Sequence, residues 1–242
     1  MAGVTSKRFP VRPTHRGGEP AHALAQSAYT HLMQQLLEGE LEPGARLSVV
    51  DMAAELSCSR VPVMEALKRL DAEGFVEITP QVGCRVATPQ PDEVRDFFEL
   101  FAVVEACVTR LAAQRRTADD VAGFKLLCAE IDRRLRGAGS ANARDPVYRR
   151  LNLAFHTAIH RYARAPLAAG VAAGLWDRSD FFIRIAFGSL YFNRRVLQAH
   201  AQMRRAIIEG DGAAAGEAVG THLRAVGTAV AQRLAELVHA PR

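Results

Sequence analysis

LSVVDMAAELSCSRVPVMEALKRLDAEGFVEITPQVGCRV, residues Leu47 to Val86, reads as a short helix, a tight turn, a second helix and a strand pair. Val50, Ala53, Ala54 and Leu56 recur near helical spacing, and Ser57-Cys58-Ser59 is a polar break before the pattern restarts. The second helix opens with Ser59 as N-cap and carries Val63, Ala66, Leu67 and Leu70 on one stripe, with Arg60, Met64 and Lys68 on the other face. Gly74 ends that helix. Phe75 to Ile78 and Cys84 to Val86 then read as two strands joined through Pro80-Gln81-Val82-Gly83. Helix, turn, helix and hairpin in this order make a winged helix-turn-helix, which sets the start of its second helix against base edges in the major groove. The predicted DNA contacts are therefore Ser59, Arg60, Val61, Pro62, Met64 and Lys68, with Val82 and Gly83 at the wing tip. Arginine suits bidentate contact with guanine, and serine with helix-start N–H groups suits phosphate.

Three segments carry a family resemblance: Leu41 to Leu47, Ser59 to Leu67, and Leu70 to Val76. They resemble the N-terminal domain of GntR-family transcriptional regulators, whose pattern falls here on Pro43-Gly44, Ser59 to Leu67, Arg69 to Phe75 and the wing glycine Gly83. Met64 stands where the family usually has arginine, and Ser57 where it has the turn glycine. Loss of that arginine implies an operator unlike the one most relatives read.

The fold class expected for the whole chain is mainly α: a winged helix-turn-helix with a small β wing, then an all-α bundle of about six helices. Residues 1–20, with Lys7, Arg8, Arg12 and Arg16 among prolines and glycines, read as a flexible basic arm. Residues 21–89 form the DNA-binding domain, beginning with a helix over 21–38, and residues 90–242 the helical effector-binding and dimerisation domain. Helices are predicted over 92–115, 117–137, 145–163, 165–190, 193–209 and 211–239, set apart by Gly- or Asn-containing breaks.

Net charge is +5 overall, yet residues 21–89 hold five basic against nine acidic side chains, a net of −4. Placement rather than total charge argues for DNA, since Arg60, Lys68, Arg69 and Arg85 lie on the second helix or the wing. With so few cations per copy, a homodimer on a two-fold DNA operator is expected. No apolar run approaches a membrane span, the N-terminus lacks a signal core, and four unpaired cysteines fit a reducing compartment. The expected location is the cytoplasm.

The second half holds another constellation. Asn152 and His156 are four apart on one helix, and His200 and His222 lie on the last two. Three imidazoles and an amide oxygen can hold a divalent transition metal such as zinc or nickel, while His160, one turn beyond His156, is a decoy for the set. Asn152 to Pro166 and the run from Ala199-His200 to Thr221-His222-Leu223 resemble the FCD ligand-binding domain of the FadR subfamily. That resemblance implies a metal on Asn152, His156, His200 and His222, with a small organic acid beside it. Asn152 replaces the family's aspartate, Phe101 its first-helix arginine and Ala165 an asparagine, which implies an altered effector pocket. Phe101 marks that pocket, and Arg149 and Arg184 are the arginines expected to pair with a carboxylate there. The expected function is a ligand-responsive repressor and not an enzyme. The alternative is a metal-dependent hydrolase using the three-histidine site, although neither Asp211 nor Glu217 has a convincing spacing for its base.

Overall fold

The structure is a computed structural model that describes residues 21–137, 146–188 and 194–239. Its first part comprises α1 (Ala21–Glu38), β1 (Arg46–Leu47), α2 (Val49–Glu55), α3 (Arg60–Ala72), β2 (Val76–Thr79) and β3 (Gly83–Val86). The six helices that follow are α4 (Pro91–Arg115), α5 (Ala118–Gly137), α6 (Pro146–Tyr162), α7 (Pro166–Phe187), α8 (Arg194–Glu209) and α9 (Gly212–His239). The basic arm and the breaks at 138–145 and 189–193 lie outside the described residues.

α3 is built as its sequence dictates. Val63, Ala66, Leu67 and Leu70 are all buried, against Ala28, Leu32 and Leu36 of α1. α2 departs from expectation: Val50 is 51% exposed and Ala54 is open, while Val49, Met52, Ala53 and Leu56 face the core. Its N-cap is Ser48, whose hydroxyl accepts from the Asp51 N–H at 3.3 Å. The wing is a three-stranded antiparallel sheet in the order β1-β3-β2, with Val76 opposite Val86 and Ile78 opposite Cys84. β1, two residues long, adds an edge to the expected hairpin by pairing Arg46 with Arg85.

The bundle is organised around α4 and α9. A capping box between Gln90 and Glu93, with Pro91 at the first helical position, fixes the start of α4. The two helices approach closely because α9 presents glycine to α4: a Cβ on Gly216 would stand 2.9 Å from the Ala106 carbonyl, and one on Gly227 would overlap Phe98. α5 docks on α6 through Phe124, whose ring lies 5.3 Å from Phe155 and 5.7 Å from Tyr162.

α7 touches both parts of the molecule. Phe181 meets Phe75 edge to face at 5.2 Å, Arg178 lies 5.8 Å from the same ring and lies against Gly74, and Arg184 lies against Gly39. Gly39 and Gly74 end α1 and α3 with φ of +74° and +73°, and in either place a Cβ would overlap the arginine side chain. One face of α7 is thus seated on the ends of the two helices that carry the winged motif.

Candidate functional site

The first candidate surface is the start of α3. Ser59 and Arg60 are exposed and Val61 is 61% exposed, so the first turn is open to a groove; Lys68 is exposed two turns on. One expected contact is corrected: Pro62 is buried, while Met64 is half-buried, with part of its side chain against the core. At the wing tip Val82 is 57% exposed and Gly83 adopts φ +128° with open space around it.

The basic set also changes. Arg69 faces away from the start of α3: its Nε donates to Glu73 at 2.9 Å, an Nη donates to Gln26 at 3.0 Å, and its guanidinium covers the Tyr29 ring at 3.6 Å. Arg46, which the sequence left off this surface, is exposed and is set opposite Arg85 by β1. Like charges directly opposed across a ladder are unfavourable unless an anion lies near, and a DNA phosphate is such an anion.

The second site lies in the bundle. α6 carries Asn152, His156 and His160, α8 carries His200 and α9 carries His222. The fold gathers three of the four imidazoles, with ring centroids 5.5 Å apart for His156 and His200 and 5.3 Å for His200 and His222. His156 is 1% exposed, and neither of its ring nitrogens has a protein partner. Burial, with mutual repulsion as the lesser cause, drives its pKa well below the usual histidine value. Burial also lowers His200, to about 3, and His222, to about 4. His160 turns elsewhere, donating to Glu105 Oε1 at 2.7 Å. The fully buried Glu105 also accepts the indole N–H of Trp176 at 2.8 Å, and this holds the indole 4.0 Å from His156.

Neutral imidazole is the form that ligates a metal, through one ring nitrogen, and the sealed His156 ring has a nitrogen without a protein partner to give. The donor types therefore fit a borderline ion such as zinc or nickel. Among the described residues no group of three His, Cys, Asp or Glu stands around one point.

Beside the histidines is a cavity of about 310 Å³ between α7, α8 and α9, with Asn152 of α6 also in its wall and Ser179, Arg195, Gln198, Gln202 and Thr221 among its polar lining. His222 and Trp176 line it, while His156 and His200 stand behind. None of the three expected effector contacts lines the cavity. Phe101 is fully buried behind Trp176 at 5.0 Å, Arg184 flanks the cavity face of α7 one turn beyond Asp180 with its guanidinium against Gly39, and Arg149 stands outside the wall, donating to Asp180 at 3.1 Å. Asp180 does line the cavity, and burial pushes its carboxyl up to about 6 against the pull of Arg149. Trp176, read from sequence as core, is both core and cavity wall. Ser179 and Asp180 share its face of α7 at helical spacing, and that was their only signal.

Comparison with known proteins bears on both surfaces. The FCD domain family matches residues 96–225, and the family described as bacterial regulatory proteins, gntR family, matches residues 24–86. An uncharacterised HTH-type transcriptional regulator in an unstable DNA locus of Streptomyces ambofaciens is 30% identical over 213 residues, 82% of this chain and 81% of that protein. The HTH-type transcriptional repressor RspR of Escherichia coli K12 is 25% identical, over 88% of this chain and 91% of its own. Among solved structures, E. coli McbR/YncC aligns with a TM-score of 0.68 at 20% identity, covering 86% of this chain and 97% of that one, a likeness of fold. Among the described residues no helix is long and apolar enough to cross a membrane. With one family matched on the winged motif and the other on more than half of the chain, this protein belongs to the GntR family of DNA-binding transcriptional regulators and carries an FCD domain behind its winged helix-turn-helix.

Proposed function

We propose that the chain is a cytoplasmic one-component repressor that binds a two-fold operator as a homodimer and changes its hold on DNA when a small organic acid binds beside a metal in the bundle. The observation that carries this reading is α7: Trp176, Ser179 and Asp180 wall the cavity, while Arg178, Phe181 and Arg184 rest on Phe75, Gly74 and Gly39. A ligand that tilts α7 displaces the ends of α1 and α3, and so the separation of two recognition helices in a dimer. Repression is the role named for the E. coli relative, and it is carried here as part of the proposal. The metal, zinc or nickel, would be held by His156, His200 and His222 with the Asn152 amide oxygen, and would supply positive charge for an acid.

A hydrolase finds no support in the site. The two domains matched are those of transcriptional regulators, and no carboxylate among the described residues stands with the histidines as a set around one point.

Two measurements test the proposal. Operator duplexes selected from random DNA should bind the protein, with Arg60→Ala weakening binding by about 1–3 kcal/mol and relaxing one base position, and Lys68→Ala flattening the salt dependence by about one ion. Equal binding of selected and random duplexes by both variants and the parent refutes sequence-specific reading by α3. Metal analysis of protein purified without chelator should give close to one zinc or nickel per chain, lost in a His156→Ala, His200→Ala variant. A metal-free parent after metal supply refutes the metal.

A further inference from the structure

One face of α4 is covered by nothing among the described residues. Its other faces are taken: Gly216, Gly220 and Gly227 of α9 lie against Ala106, Ala102 and Phe98, and Phe97 meets Phe182 of α7 at 5.1 Å. Along the remaining face run Asp96, Leu100, Val103, Cys107, Arg110 and Gln114, every one exposed, Leu100 at 59% and Val103 at 58%. Their spacing alternates four and three residues, the heptad seam by which one helix packs on another. Two large apolar side chains and a thiol at the centre of the seam are out of place on a face meant for water.

The charges say what covers it. Asp96 stands seven residues before Val103 and Arg110 seven after, so all three lie on one line of the helix. Among the described residues neither Asp96 nor Arg110 forms an ion pair, whereas nearby Asp92 is held by Arg95 and Glu99 by Arg224. Turned end for end about Val103, the face meets its own complement, acid on base at both ends and apolar on apolar between. Leu167 and Val171 of α7 are also exposed, but the stretch from Pro166 to Trp176 carries no charge that could set a register.

We infer that α4 pairs antiparallel with α4 of a second copy about a two-fold axis at Val103, with Asp96 against the partner's Arg110 and Leu100 between the partner's Val103 and Cys107. This rests on the proposed homodimer and names the face that makes it. Such a contact needs one self-complementary patch and closes at two chains. The winged motifs, each joined to the start of its own α4, then stand at opposite ends of the pair.

Sedimentation equilibrium of the full chain and its variants reads the dimer dissociation constant and tests the pairing. The parent should be a dimer at micromolar concentration. Val103→Arg sets two like charges at the axis and should raise the constant about a hundredfold, while Val171→Arg should leave it unchanged. Asp96→Arg and Arg110→Asp should each raise it about tenfold, and the two together should restore the parent value, because the swapped charges again face their opposites. All these positions are exposed, so helix content by circular dichroism should match the parent in every variant. A dimer that Val103→Arg leaves intact, or a double reversal as weak as the single ones, overturns the α4 pairing and leaves a homodimer on another face. A parent that stays monomeric overturns the homodimer as well.

Discussion

Ser57 holds the turn between α2 and α3 at φ +50°, a left-handed conformation that a side chain disfavours. It is exposed and its N–H closes on the Ala54 carbonyl at 3.1 Å, so glycine can adopt the same turn without the Cβ penalty. Ser57→Gly should stabilise the protein by about 1 kcal/mol, part of the 1–2 kcal/mol penalty being returned as unfolded-chain entropy. In thermal unfolding this is a rise of roughly 2–4 °C; no rise would mean that the turn carries no strain. Residues at the start of α3 were legible in part. Arg60 follows from the stripe Val63, Ala66, Leu67 and Leu70, because it lies opposite it. The same arithmetic places Pro62 four residues before Ala66, on the buried side, and Met64 three before Leu67, on its border. Reading helix-start position without that step put Pro62 in the groove.

Among the elements, the bundle helices were legible because glycine, proline and asparagine punctuate them, and all six fall within a few residues of their expected spans. Short elements were not. α2 has seven residues, two turns, in which Val50 and Ala54 fit an apolar stripe about as well as Val49, Met52 and Leu56 do. β1 has two residues and no period to read. α7 is buried on two faces, so spacing alone assigns Arg178 and Arg184 to neither. The α4 and α9 pair gives the sharpest test of packing. Gly227 is mid-helix, where alanine is favoured by about 1 kcal/mol, yet its Cβ would overlap Phe98. Overpacking wins. Gly227→Ala should destabilise by about 2 kcal/mol in urea unfolding, and a stabilised variant would show that α4 yields.

For the whole molecule, burial of neutral histidines sets the response to acid. His156, His200 and His222 have folded pKa values below the ordinary 6.5, so their stability is intact above that pH. It is lost as pH falls toward 4, where only the unfolded chain takes up those protons. Asp180 acts in the opposite sense between about 6 and 4, since its raised carboxyl protonates first in the folded state. Net uptake is then about two protons, or roughly 3 kcal/mol per pH unit. Chelator-treated protein should lose urea stability steeply between pH 6 and 4.5, with His200→Ala halving the slope; equal slopes would mean that water reaches the rings. The histidines are separated by 44 and 22 residues, and no local pattern joins them; what linked them in sequence was the likeness of their surrounding segments to one family. The cavity wall had no such likeness to follow.

The seating of α7 has one more consequence. A rod pressed on Phe75 and Gly74 at one side and bordering the cavity at the other has no preferred direction of influence. Whatever factor an acid in the cavity imposes on the grip for an operator, the operator must impose on the grip for that acid. Under the proposed coupling, a molecule sitting on its promoter and one free in solution would differ in threshold for the same acid, and the occupied promoter, not the free pool, would set the concentration at which the gene responds.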